Sequence, residues 1–184
     1  MIGLVSESLK NLLEAEMSPA NPVTLLSPAD ASSQQSRVNL FLYWLRPHPQ
    51  LRNQLPTVSN DDPAQLVAPP LVLNLYYLLT AYTPLDGQSG LADAHTIMAE
   101  AMRVLHEHPI LPESRLEPGL RQGEVKVTLH SADVEELSKV WTALTKDFRL
   151  SAVYEVSFAP VVARGRIPAA PQVEAVDLRV EVTK

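Results

Sequence analysis

The sequence predicts an α+β fold, in which about three helices pack on a mixed β-sheet and a tethered strand follows at the C-terminus. Three segments carry apolar residues at helical spacing, and several others either alternate apolar with polar residues or are rich in β-favouring residues. The order is helix, three strands, helix, strand, helix, strand and a final tethered strand. This order of helices and strands is typical of a fold in which helices pack against a sheet.

The first half of the chain supplies one helix and three strands. Apolar residues at helical spacing predict an amphipathic helix that Ser18-Pro19 ends; they are Ile2, Val5, Leu9, Leu12 and Leu13. Residues 21–28, bounded by prolines, predict a short strand or an extended arm. Residues 37–46 predict a strand that Pro47 closes, and residues 47–70 a long ordered loop. Residues 71–82 are apolar on both faces, as in a central strand.

The second half alternates helices and strands. Residues 87–90 predict a turn, and residues 91–108 a helix whose apolar stripe comprises Ala94, Ile97, Met98, Ala101, Met102 and Leu105. Residues 124–130 predict a strand with Val125, Val127 and Leu129 facing inward. Ser131 or Asp133 is expected to cap a third helix with an apolar face of Val134, Leu137, Val140, Trp141 and Leu144. Residues 152–158 predict a strand that Pro160 closes or bends.

The last twenty residues differ in character from the rest. Residues 164–171 predict a proline-containing linker, which divides the chain into a domain over 1–163 and an arm over 164–184. The arm carries a clean alternation of apolar residues: Val176, Leu178, Val180 and Val182. An alternating strand on a hinge suits addition to the open sheet edge of a neighbouring subunit, and we predict these four residues as protein-interaction residues. The alternative is that the strand completes its own sheet.

Composition limits the possible functions. The 184-residue chain has a net charge of −6 and no cysteine, which excludes disulfides, thiolate metal sites and cysteine nucleophiles. The charge has the wrong sign for generic nucleic-acid binding. The N-terminus lacks the pattern of a secretory signal, and the longest apolar stretch, 71–82, is too short to cross a bilayer. We therefore expect a cytoplasmic-type soluble protein.

No catalytic, cofactor-binding or metal site is predicted. His95 and His106 share a helix face but stand about 16 Å apart along its axis, too far to hold one ion. Gly87-Gln-Ser-Gly90 lacks the spacing of a nucleophile turn, and the neighbouring carboxylates Asp61-Asp62 and Glu135-Glu136 diverge in direction. Two predicted strands carry a group of aromatic residues, and aromatic residues in strands more often form a core or a subunit interface than a ligand cleft. The group comprises Phe41, Tyr43, Trp44, Tyr76, Tyr77 and Tyr82.

Several segments together resemble the N-terminal domain of cap, or tube-terminator, proteins of extracellular contractile injection systems, which are phage-tail-like particles. The resemblance spans roughly residues 5 to 165. It is carried by Leu71–Tyr82, by the helix ending Met98-Ala-Glu-Ala-Met-Arg-Val-Leu-His-Glu-His-Pro109, and by Val127-Thr-Leu129, Glu135–Trp141 and Arg149–Val156. Known members often carry a further C-terminal region, and this chain stops soon after the resembling domain.

The resemblance implies a phage tail-terminator-like fold and a structural role without cofactors. It implies a homo-oligomer, expected to be a hexameric ring, that ends the inner tube and anchors the last sheath layer. The implied partners are tube and sheath proteins, not nucleic acid or a small-molecule substrate. Assembly would take place in the cytoplasm, within a particle that is later released. The alternatives are another component of the same particle, such as a baseplate or tube adaptor, and a small-ligand-binding domain.

Overall fold

The computed structural model describes residues 2–30, 34–50, 55–58, 62, 65–69, 71–120, 125–161 and 166–168. The chain divides into two compact units. The first comprises Met1–Arg52 and Leu71–Val161, and the second comprises Asn53–Pro70 and Val162–Lys184.

The first unit is a five-stranded mixed sheet with helices on both faces. Its helices are α1 (Ile2–Glu16), α2 (Gly87–Glu107) and α3 (Val134–Ala143), and short 3-10 turns cover Glu113–Arg115 and Pro118–Leu120. Its strands are β1 (Val23–Thr24), β2 (Arg37–Pro47), β5 (Leu71–Tyr82), β6 (Lys126–His130) and β7 (Ser151–Val161), in the order β1-β2-β5-β7-β6. Only the β1–β2 pair is parallel. The predicted α+β class with a mixed sheet is confirmed.

The central strand β5 has the bounds that its apolar run predicts. Every residue from Val72 to Tyr82 is buried, because helices cover both faces of the sheet. Leu75, Tyr77 and Leu79 belong to the core formed with α1 and α2. Tyr76 and Leu78 belong to a smaller core formed with α3, where they meet Leu137, Trp141 and Val153.

The third helix is held by a cap, a few apolar contacts and a hydrogen bond. Of the two predicted caps, the structure selects Asp133, whose carboxylate accepts a 2.7 Å hydrogen bond from the backbone N–H of Glu136. Trp141 is buried and its Nε1 donates to the Ser151 hydroxyl at 3.1 Å. Val134, predicted for the buried face, is instead 71% exposed, because it begins the helix beyond the edge of this small core.

The predicted turn at 87–90 is wrong, since α2 begins at Gly87. The glycine adopts a φ of +63°, which lets the chain bend sharply into the first turn of the helix. Leu129 is also misassigned: it is 54% exposed because it lies on the edge strand β6, at the margin of the helix-covered face.

The second unit contains three short strands: β3 (Thr57–Val58), β4 (Gln65–Val67) and β8 (Arg166–Pro168), paired in the order β3-β4-β8. Both pairs are antiparallel. Thus the segment predicted as a loop over 47–70 and the predicted linker over 164–171 both contain strand residues. Each of these strands is too short for apolar periodicity to reveal it. The boundary predicted at 163/164 stays a prediction.

Candidate interaction surfaces

The far end of β2 leaves the protein core and exposes a tryptophan. The first four residues of the strand are buried and the last four are exposed, and Trp44 retains 46% of its accessible surface. A β-bulge shifts the register, so that Leu42 pairs with Tyr77 while Trp44 pairs with Tyr76. Paired residues project from the same face of a sheet, so the bulge puts Trp44 on the face that α3 covers only in part.

Trp44 begins a row of stacked side chains. Its ring centroid lies 4.8 Å from that of Tyr76, and the Tyr76 ring meets His130 edge-on at 5.3 Å. The guanidinium carbon of Arg46 lies 5.4 Å from the Trp44 centroid and 5.1 Å from that of Tyr76. We call Trp44, Arg46, His130 and Glu155 the Trp44 surface, and Tyr76 lies buried beneath it.

Two carboxylates flank His130 on this surface. Glu155 accepts a hydrogen bond from Asn74 Nδ2 at 2.5 Å and lies 3.8 Å from His130 Nδ1. Glu136 lies 3.9 Å from His130 Nε2 and accepts from the Tyr43 hydroxyl at 3.3 Å. The histidine thus stands between a strand carboxylate and a helix carboxylate.

The tyrosines beside these carboxylates remain protonated at neutral pH. Burial, followed by the charge of Glu136, raises the pKa of Tyr43, and burial, assisted by Glu155, raises that of Tyr76. Neither phenol is therefore poised for acid–base chemistry. The combination of tryptophan, tyrosine and arginine is instead typical of residues that dominate protein–protein interfaces.

A second surface runs along α2 on the opposite face of the sheet. Two cavities follow one another along the helix, of about 290 Å³ beside Leu91 and Met98 and about 560 Å³ beside Met102 and His106. Large exposed apolar side chains border them: Leu91, Leu129, Phe148 and Leu150. We call this apolar depression the α2 groove. An exposed apolar patch of this kind is more often a binding surface for another molecule than a surface that remains in contact with solvent.

The structure separates the predicted aromatic group. Tyr76 and Tyr77 are fully buried, as a core predicts, but they point to opposite faces of the sheet. The Tyr77 hydroxyl shares a 2.8 Å hydrogen bond with the Ser6 hydroxyl on α1, and burial raises its pKa to about 12. Trp44 alone of the group is largely exposed.

His95 and His106, which the sequence excludes as a metal-binding pair, lie beside different cavities. His95 lines the first cavity of the α2 groove and His106 the second. Over the described ranges, no group of three or more histidine, aspartate or glutamate side chains is placed to hold a metal ion. In the same ranges no helix is long and apolar enough to span a membrane.

The predicted interaction residues Val176, Leu178, Val180 and Val182 lie outside the described residues. Sequence reasoning missed the exposure of Trp44 and Leu129. The bulge that exposes Trp44 leaves no mark in the apolar pattern. The edge position of Leu129 depends on strand order, which the pattern of a single strand does not encode.

The sequence matches a family described as the Pvc16 N-terminal domain over residues 4–175. Among solved structures, the fold is similar to the sheath/tube terminator of an extracellular contractile injection system, PVC, in its extended state. The TM-score is 0.70 at 21% identity, covering 100% of this chain and 64% of that one. It is also similar to the tube-terminating cap of the anti-feeding prophage, with a TM-score of 0.65 at 18% identity, covering 96% of this chain and 60% of that one. The chain thus spans less than two thirds of these relatives. No curated protein matches its sequence.

Proposed function

The chain belongs to the Pvc16 N-terminal domain family, and from this premise we propose that it is the structural cap of a contractile injection particle. The observation that carries the proposal is a terminator-like fold over the whole chain. In this role the protein ends the inner tube, anchors the last sheath layer and performs no catalysis. It assembles in the cytoplasm and leaves the cell within the particle.

Loss of a cap has a distinct consequence, since a terminator halts tube growth. Deleting the gene in the native host should give tubes of uneven and excessive length in electron micrographs, and re-expression should restore a narrow length distribution. A baseplate or tube adaptor predicts a different result, because its loss should abolish rods altogether. Rods of unchanged length would contradict the cap function.

The cap requires a ring, and the Trp44 surface and the α2 groove supply two unlike faces for head-to-tail contacts. Six copies of the 20.3 kDa chain would sediment at about 122 kDa. Trp44→Ala should weaken self-association roughly ten-fold or more, as for an interface anchor. Val134→Ala is the matched control, because Val134 is 71% exposed and lies outside both surfaces. If Trp44→Ala and Val134→Ala weaken self-association equally, Trp44 does not lie in the interface.

The alternating arm, Val176 to Val182, is proposed to add as a strand to a neighbouring subunit or to the sheath. Truncation after Pro168 spares β8 and should leave a folded protein that no longer joins particles. Leu178→Asp should have the same effect, whereas Asp177→Asn on the other face of the alternation should not. Normal incorporation of the truncated chain would contradict the proposal.

A further inference from the structure

A buried arginine begins β2. Arg37 pairs with Tyr82 at the end of β5, and its guanidinium carbon lies 4.6 Å from the centre of the Tyr82 ring. Only 4% of the residue is exposed, and its Nε and one terminal nitrogen are buried without hydrogen-bond partners. A buried charge is costly unless an opposite charge or hydrogen bonds accompany it, and the aromatic ring offsets only part of this cost.

A second arginine approaches the same ring. The guanidinium carbon of Arg149 lies 5.1 Å from the Tyr82 centroid, so two arginines contact the same aromatic ring. Lys146 stands three residues before Arg149 and lines the same cavity. Arg37 and Arg149 therefore both contact the Tyr82 ring, and Lys146 lines the cavity to which Tyr82 and Arg149, but not Arg37, contribute.

The cavity beside them has a volume of about 130 Å³ and is lined by Pro28, Tyr82, Trp141, Lys146, Asp147 and Arg149. Asp147 is the single carboxylate in this lining. Among the described residues, no ion pair joins Asp147 to any of the three cations. The cavity has room for a carboxylate or a tetrahedral oxyanion but not for a nucleotide.

We propose that this cavity, the Tyr82 pocket, binds a small oxyanion of the carboxylate or phosphate class. Arg149 and Lys146 hold the anion by charge-assisted hydrogen bonds, and its charge offsets that of Arg37 across the ring. Two sources carry this chemistry: a free anion such as phosphate, or an aspartate or glutamate of a second copy. The pocket lies apart from the Trp44 surface but shares Asp147 and Arg149 with the lining of the α2 groove, and it does not depend on the cap function.

Binding can be measured on the intact chain by thermal unfolding, with phosphate or acetate replacing chloride at constant ionic strength to hold screening fixed. Phosphate should raise the melting temperature in a dose-dependent manner. Arg149→Gln and Lys146→Gln should each weaken the apparent phosphate Kd about ten-fold or more, the loss expected for a hydrogen bond to a charged group. Lys139→Gln should respond as the wild type does, since Lys139 is 74% exposed on α3 and pairs with Glu135.

A measurement of self-association distinguishes the two possible sources of the bound oxyanion. If a neighbour's carboxylate fills the pocket, phosphate and Lys146→Gln should both weaken self-association in sedimentation experiments, and Lys146 lines the pocket but not the α2 groove. If a free oxyanion fills it, phosphate should leave self-association intact. The proposal is overturned if neither phosphate nor acetate shifts the wild-type melting temperature while Lys146→Gln self-associates as the wild type does. It is overturned equally if the variants keep the wild-type response to phosphate.

Discussion

At the scale of single residues, Gly90 has the least room for an added side chain among the described glycines. A Cβ atom added there would lie 2.1 Å from the backbone oxygen of Leu85 and 2.7 Å from its carbonyl carbon. Because both atoms belong to the backbone, no rotamer change can relieve the contact. The first turn of α2 must therefore shift if Gly90 is replaced.

Gly90→Ala should lower the free energy of unfolding by about 1–3 kcal/mol, the usual cost of an overpacked site. Gly3→Ala is the matched control, since a Cβ at this position of α1 meets nothing within 4 Å. That substitution should leave the free energy of unfolding unchanged or raise it by at most about 0.5 kcal/mol, because Gly3 lies in the first turn of α1, where the preference for alanine over glycine is weaker than in a helix interior. Urea denaturation measures both, and a destabilising Gly3→Ala together with a neutral Gly90→Ala would contradict the packing described.

Protonation of Glu100 is expected to lower the stability of the fold in acid. The Arg103 guanidinium and then the backbone N–H of Ser18 lower the pKa of the Glu100 carboxyl to about 2, from an ordinary value of 4.5. Because the pKa of Glu100 is lower in the folded than in the unfolded protein, the ionised carboxylate stabilises the fold. This contribution of Glu100 is fully present above about pH 4.5 and is lost as the pH falls towards 2.

The urea midpoint of the wild type should accordingly exceed that of Glu100→Gln at pH 6, and the difference should shrink at pH 3. Glu7→Gln serves as the control, because Glu7 makes only a long 3.9 Å contact with Lys10 at the surface. If the difference in urea midpoint between wild type and Glu100→Gln stays constant with pH, ionisation of Glu100 does not contribute to stability in this way.

At the scale of elements, α3 depends on its cap more than the longer helices do. It has ten residues, and only Leu137 and Trp141 of these are buried. Asp133→Ala should therefore lower the free energy of unfolding by about 1 kcal/mol, through loss of the bond to the Glu136 N–H. Ser131→Ala, at the other cap position that the sequence allows, should be close to neutral. An equal cost for both variants, measured by urea denaturation, would show that the cap is shared.

Elements with strong periodicity could be predicted from sequence, whereas features set by neighbouring elements could not. The apolar run of 71–82 is a central strand because both of its faces are buried, which its composition already implies. The exposure of Leu129 instead depends on where α2 crosses the sheet. The Tyr82 pocket joins residues near 28, 82 and 141–149, and no local pattern links three segments so far apart.

At the scale of the whole molecule, the described residues combine polar side chains paired within the protein with apolar side chains left in solvent. Their polar side chains form caps, surface pairs and the Trp44 surface, while apolar residues remain exposed on both faces of the sheet. A protein that leaves a tryptophan and several leucines in solvent is expected to cover them on assembly. Under the proposed cap function, this assembly is the capped end of a tube.

The position of the chain on the particle tests this account most directly. Particles sedimented from cells that carry an N-terminally epitope-tagged chain can be labelled with gold-conjugated antibody and imaged by negative-stain electron microscopy. The cap function predicts label at one tip of each rod, at the end distal to the baseplate. Label along the shaft, at the baseplate, or absent from the rods would contradict it.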